Sequence, residues 1–135
     1  VRDATGVAIA LISGMHDAYK FVAITGQNDP NKLIGRSNGY LSAAVVYDRR
    51  TKCSDGLGAD CGAMVEQWSS PADAKARSAH VVGVLKKSPA LGSEYDTSLG
   101  SYVLRVSGAL KPSQAEEYIA VFKRLGVASL TTSAP

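Results

Sequence analysis

The sequence predicts an α+β domain: a mostly antiparallel five-stranded sheet with helices packed on one face. Three observations carry that expectation. Short segments with two-residue alternation, rich in β-branched and aromatic residues, follow one another closely, which favours antiparallel pairing. Three other segments carry helical capping signals or a helical apolar stripe. The resulting order is α-β-β-β-α-β-β-α, without an internal repeat or a low-complexity block. A ferredoxin-like pairing is the expected option for its second half.

Each element has a local reason. Ala4 to Met15 is apolar and Ala-containing, with Asp3 placed to cap its first turn. Tyr19 to Thr25 (YKFVAIT) reads as a strand because aromatic and β-branched residues suit a pleated surface. Gly26 to Tyr40 is a polar, turn-rich loop, long for a compact domain. Leu41 to Arg49 alternates Ala43, Val45 and Tyr47 against Ala44 and Val46, and Gly62 to Trp68 is a third strand. Ser70 at N-cap, Pro71 at N1 and Asp73 at N3 start a helix that reaches Lys87, before Ser88-Pro89. Glu94 to Ser98 and Ser101 to Ser107 make a hairpin around Leu99-Gly100. Pro112 opens the last helix, whose stripe is Ala115, Tyr118, Ile119, Phe122 and Leu125; Gly126 stands where a terminating glycine belongs. Residues 1–126 then form one domain, and 127–135 a flexible tail.

Composition narrows the function classes. With 45% hydrophobic and 20% charged residues the chain is too apolar to be disordered. Its longest apolar run, Val7 to Ile12, falls short of the ~18 residues of a membrane span. The net charge of +3 is dispersed, and the doublets Arg49-Arg50 and Lys86-Lys87 lie far apart. Nucleic-acid binders cluster such charges on one face, so no nucleic-acid partner is expected. The first residue is Val1 rather than Met, as expected of a mature product or a trimmed chain.

Cys53 and Cys61 bracket the turn-rich segment 54–60. Seven intervening residues fit neither a C-x-x-C redox motif nor a common zinc spacing. Two unrelated buried thiols are one reading; a disulfide, and with it an oxidising compartment, is the preferred one.

Candidate chemistry is sparse. Gly35-Arg36-Ser37-Asn38-Gly39 is a literal G-x-S-x-G, but a loop precedes it and a strand follows, the wrong context for a hydrolase elbow. His16 at the end of the first helix and His80 inside the central helix read as structural. Asp55 and Asp60 offer oxygens to Ca²⁺ without EF-hand spacing. Glu116-Glu117 suit the start of the last helix. No metal site or cofactor follows from these residues. The long loop holds the densest polar set: Asn28, Asp29, Asn31, Arg36, Asn38 and Tyr40. It reads either as an Asx-turn network or as a recognition loop with Arg36 and Tyr40 as anchors.

The string from Asn28 to Tyr40 (NDPNKLIGRSNGY) resembles a motif of small secreted proteins and lipoproteins of Gram-positive, mainly actinobacterial, bacteria. The stretch Leu104 to Ala115 (LRVSGALKPSQA) is similar to a second one, so the resemblance spans about residues 20–125. It implies a secreted or extracytoplasmic setting, at the cell envelope or outside it, and no catalytic residues. Position 1 is Val1, not the lipidated Cys of a lipoprotein, so the resemblance leaves anchoring open. The preferred disulfide, the sparse chemistry and the polar loop make a small exported, non-catalytic binding or structural domain the expected function, with a protein, glycan or cell-wall ligand as partner. The alternatives are a serine hydrolase using Ser37 and an extracellular protease inhibitor.

Overall fold

Both faces of β2 and β3 are buried, and this governs the architecture. The computed structural model describes residues 3–53, 56–87 and 93–133. Its elements are α1 (Ala4–Gly14), β1 (Ala18–Ala23), β2 (Ser42–Asp48), β3 (Gly62–Gln67), α2 (Pro71–Lys87), β4 (Glu94–Leu99), β5 (Tyr102–Ser107) and α3 (Pro112–Ser133). The five strands form one antiparallel sheet in the order β1-β2-β3-β5-β4. The α+β class and the element order match the sequence expectation.

One expectation is corrected: the helices do not share a face. Ala44, Val46, Ala63, Val65, Leu104 and Val106 point to one side and pack against α1 and α3. Ala43, Val45, Tyr47, Met64 and Val103 point to the other, where Tyr40, Trp68 and Ala74 of α2 cover them. Burying apolar area is worth about 25 cal/mol per Å², so a sheet apolar on both faces needs two covers. The stretch from β3 to β5 makes a split β-α-β unit, with β5 lying between β3 and β4. Because α3 is on the far side from α2, the ferredoxin-like option stops at that unit.

Local signals account for most boundaries. The Asp3 carboxylate accepts the Gly6 N–H at 2.9 Å, and the Ser70 hydroxyl accepts the Asp73 N–H at 3.1 Å, so both caps are in place. Gly100 takes φ 57° in the two-residue β4–β5 turn, and Leu99 pairs with Tyr102 across it. α3 runs through Gly126 to Ser133 instead of ending there, because one glycine weakens a helix by only about 1 kcal/mol. The segment 127–133, assigned to the tail, is thus helical backbone. No helix among the described residues is long and apolar enough to cross a membrane.

Candidate functional site

The loop from Gly26 to Tyr40 is built around one buried carboxylate. Asp29 accepts the backbone N–H groups of Asn31 (2.9 Å), Leu33 (2.8 Å) and Ile34 (2.8 Å), and the Tyr40 hydroxyl donates to it as well. Burial pushes this carboxyl up, but those four donors outweigh it and hold it below the usual Asp range. Tyr40 is 0% exposed; burial and the Asp29 charge raise its hydroxyl far above the ordinary tyrosine value. Asn31 Nδ2 donates to the Tyr40 hydroxyl at 3.2 Å. Asn28 closes the loop entrance, accepting from Thr25 N at 2.6 Å and donating to the Ala23 carbonyl at 3.1 Å. Gly39 passes so close to the Leu33 carbonyl that a Cβ there would overlap it.

Of the six loop residues singled out from sequence, Asn28, Asp29, Asn31 and Tyr40 therefore hold the loop's shape. Tyr40 in particular is no surface anchor, since its ring packs edge-on against Trp68 with centroids 5.8 Å apart. Arg36 and Asn38 remain exposed, as does Ser37 between them.

The hydrogen-bonded loop faces α2 across a cleft of about 380 Å³. Ser37 and Asn38 form one wall; Asp73, Arg77 and His80 form the other, and Trp68 lies between. These helix residues meet there because positions three and four apart share a helix face. Their sequence separation from the loop hid the pairing. Ser37 and His80 thus share one cavity, but among the described residues neither side chain makes a hydrogen bond to the other. The Asp73 carboxylate accepts from the Ser69 hydroxyl at 2.7 Å through Oδ2.

A charged network lies beneath the cleft. Glu66 is fully buried on β3 and accepts from Trp68 Nε1 (3.0 Å), from Arg77 Nε and Nη2 (3.0 and 3.2 Å) and from Arg105 Nη1 (3.3 Å). Arg105 Nε and Nη2 in turn donate to both oxygens of Glu94, at 2.9 and 2.7 Å. Burial pushes Glu94 up, and Arg105 more than offsets it, leaving this carboxyl low. Asp96 lies beside the pair, and burial together with the Glu94 charge pushes it up to about 8. Sequence reasoning missed this network. Single charges at alternate strand positions look like a solvated face, and only α2 lying over them makes them interior.

The remaining candidates sit elsewhere. Cys53 and Cys61 form a disulfide with Cα atoms 4.7 Å apart. His16 lies beyond the end of α1 and is 95% exposed, with Nδ1 at 3.4 Å from Asp17. Glu117 meets Arg50 at 3.4 Å. Asp55 falls outside the described residues. Among those described, no group of three or more His, Cys, Asp or Glu is placed to hold a metal ion. Comparison of the chain with protein-family models, curated proteins and solved structures finds no match.

Proposed function

We propose that the protein is a small exported, non-catalytic binding domain that recognises its ligand in the cleft between the 26–40 loop and α2. The observation that supports this is the pairing of a loop fixed from inside by Asp29 with an open cavity lined by Trp68, Asn38, Arg77 and His80. Ligand sites combine an aromatic or apolar surface with a few placed polar groups, and span about 300–1,000 Å³. At the small end of that range the cleft suits one polar unit of a larger partner: a sugar residue of a glycan or cell-wall polymer, or a side chain of a protein. The disulfide supports an oxidising, extracytoplasmic setting.

Trp68 is the only tryptophan in the chain, so its emission reports on the cleft directly. Cell-wall fragments, oligosaccharides and extracellular peptides are titrated against the wild type and against the Asn38→Ala, His80→Ala double variant. A saturable emission change that the double variant loses, with its melting temperature kept, is the expected result. No response to any of the three classes, or equal binding by the variant, sinks the reading.

A second reading rests on Ser37 and His80 lining the same cavity. A serine hydrolase needs the base within hydrogen-bond reach of the hydroxyl and a third group to orient it. Among the described residues no hydrogen bond joins His80 to Ser37 or to Asp73, so neither the base contact nor the third role is in place. Labelling with a fluorophosphonate decides: an adduct on Ser37 replaces the binding reading with catalysis, and none removes this alternative.

A further inference from the structure

Asp96 occupies the middle of β4, its Cα paired with that of Arg105 on β5. Both carboxyl oxygens are buried, and among the described residues neither meets a hydrogen-bond donor. The charged groups around it come from each element on that side of the sheet. Glu94 is on its own strand, Arg105 on β5 and Glu66 on β3, while Arg77 of α2 faces Glu94 and Glu66. The buried residues of α2, Ala74 and Val81, carry no charge. On the opposite face β4 presents Tyr95 and Leu99 to the layer of α1 and α3, away from this carboxyl. Two acceptors without a donor in such a place are resolved by a proton on Asp96, which then donates to Glu94. The site is then balanced, with the Glu66 and Glu94 carboxylates facing the Arg77 and Arg105 guanidiniums.

We propose that Asp96 is a proton-operated switch for the cleft: its ionisation draws Arg105 across the β4–β5 pair and away from Glu66. On ionisation one proton leaves to solvent, and three carboxylates then share two guanidiniums. Arg105 is the group that moves. Its 3.3 Å contact with Glu66 is longer than either of its bonds to Glu94. Asp96 stands directly opposite it in the ladder, where paired Cβ atoms are about 5 Å apart. Glu66 is then left to Arg77 and to Trp68 Nε1, and both of those residues line the cleft. The consequence for recognition rests on reading the cleft as the binding surface; the switch itself is read without a ligand.

The test is a pH titration of Trp68 emission from about pH 6 to about pH 9, below the ordinary tyrosine range. The wild type is expected to show one step with its midpoint near pH 8, and Asp96→Asn none. The step must persist in His80→Gln, which removes the cleft's own imidazole. A flat wild-type curve, a step that survives in Asp96→Asn, or a step lost in His80→Gln overturns the proposal. Should Asp96→Asn not fold, carboxyl-carbon NMR of the wild type decides. One aspartate titrating near pH 8 supports the switch, and all aspartates titrating in the ordinary acidic range overturn it. A cleft that binds none of the ligands tried leaves both readouts intact, so the two failures are distinguishable.

Discussion

The Tyr118 hydroxyl donates to Asp48 Oδ2 at 2.7 Å, joining α3 to the end of β2 across 70 residues of sequence. Asp48 is fully buried at its side chain and is also gripped by Arg50, through Nη2 at 2.9 Å and Nε at 3.0 Å. Tyr118→Phe removes one donor from a buried carboxylate without opening a cavity. A loss of about 1–3 kcal/mol is expected, read as a lower urea midpoint with unchanged slope.

Acid should act through the same residue. Burial pushes the Asp48 carboxyl up, but Arg50 and Tyr118 prevail and hold it below the usual Asp value. A carboxyl depressed in the folded state contributes stability above its unfolded pKa and loses that contribution as pH falls through the folded one. Asp29 is depressed in the same direction. Wild-type stability is therefore expected to fall below about pH 4, and to fall less steeply in Asp48→Asn, in urea melts across the acid range.

Asp96 carries the opposite sign. Its folded pKa is raised, so the folded protein binds the proton more tightly and loses stability as pH rises from the unfolded value toward about 8. Relative to wild type, Asp96→Asn should gain up to about 1.4 kcal/mol per pH unit across that window and then level off. Denaturation series at several pH values check this, and a constant difference between the two proteins contradicts it.

Within the loop, Tyr40→Phe keeps the ring against Trp68 and loses only the hydroxyl donated to Asp29. It should cost about 1–3 kcal/mol, whereas Tyr40→Ala should cost about 3–5 kcal/mol by emptying a fully buried site. Thermal melts of the two variants measure the gap.

Reduction of the Cys53–Cys61 bond should cost about 2.5 kcal/mol, the loop-closure estimate for so short a ring. Urea melts with and without reductant test the magnitude, and intact mass after alkylation counts the thiols released.

Signals that act within a few residues were legible in the chain itself. Ser70, Pro71 and Asp73 specify the start of α2 because a cap needs only its own turn. Strand alternation placed β2, β3 and β5 to within a residue or two at each end. The Asx-turn network of the loop was readable as one of two options, since Asn and Asp bond to backbone a few residues away. The end of α3 was not, because Gly126 permits a stop without imposing one.

By itself, then, the sequence determined the element order, the caps, the hairpin turn and the cysteine pair close enough to join. Each depends on neighbours in the chain. Tertiary structure alone decided that α2 crosses to the face opposite α1 and α3. That placement brings Trp68, Arg77 and His80 against Ser37 and Asn38, and it buries Glu66, Arg105, Glu94 and Asp96 beneath a helix. A charge at an alternate strand position is solvated or interior according to what covers the sheet, and nothing local to the strand determines the cover.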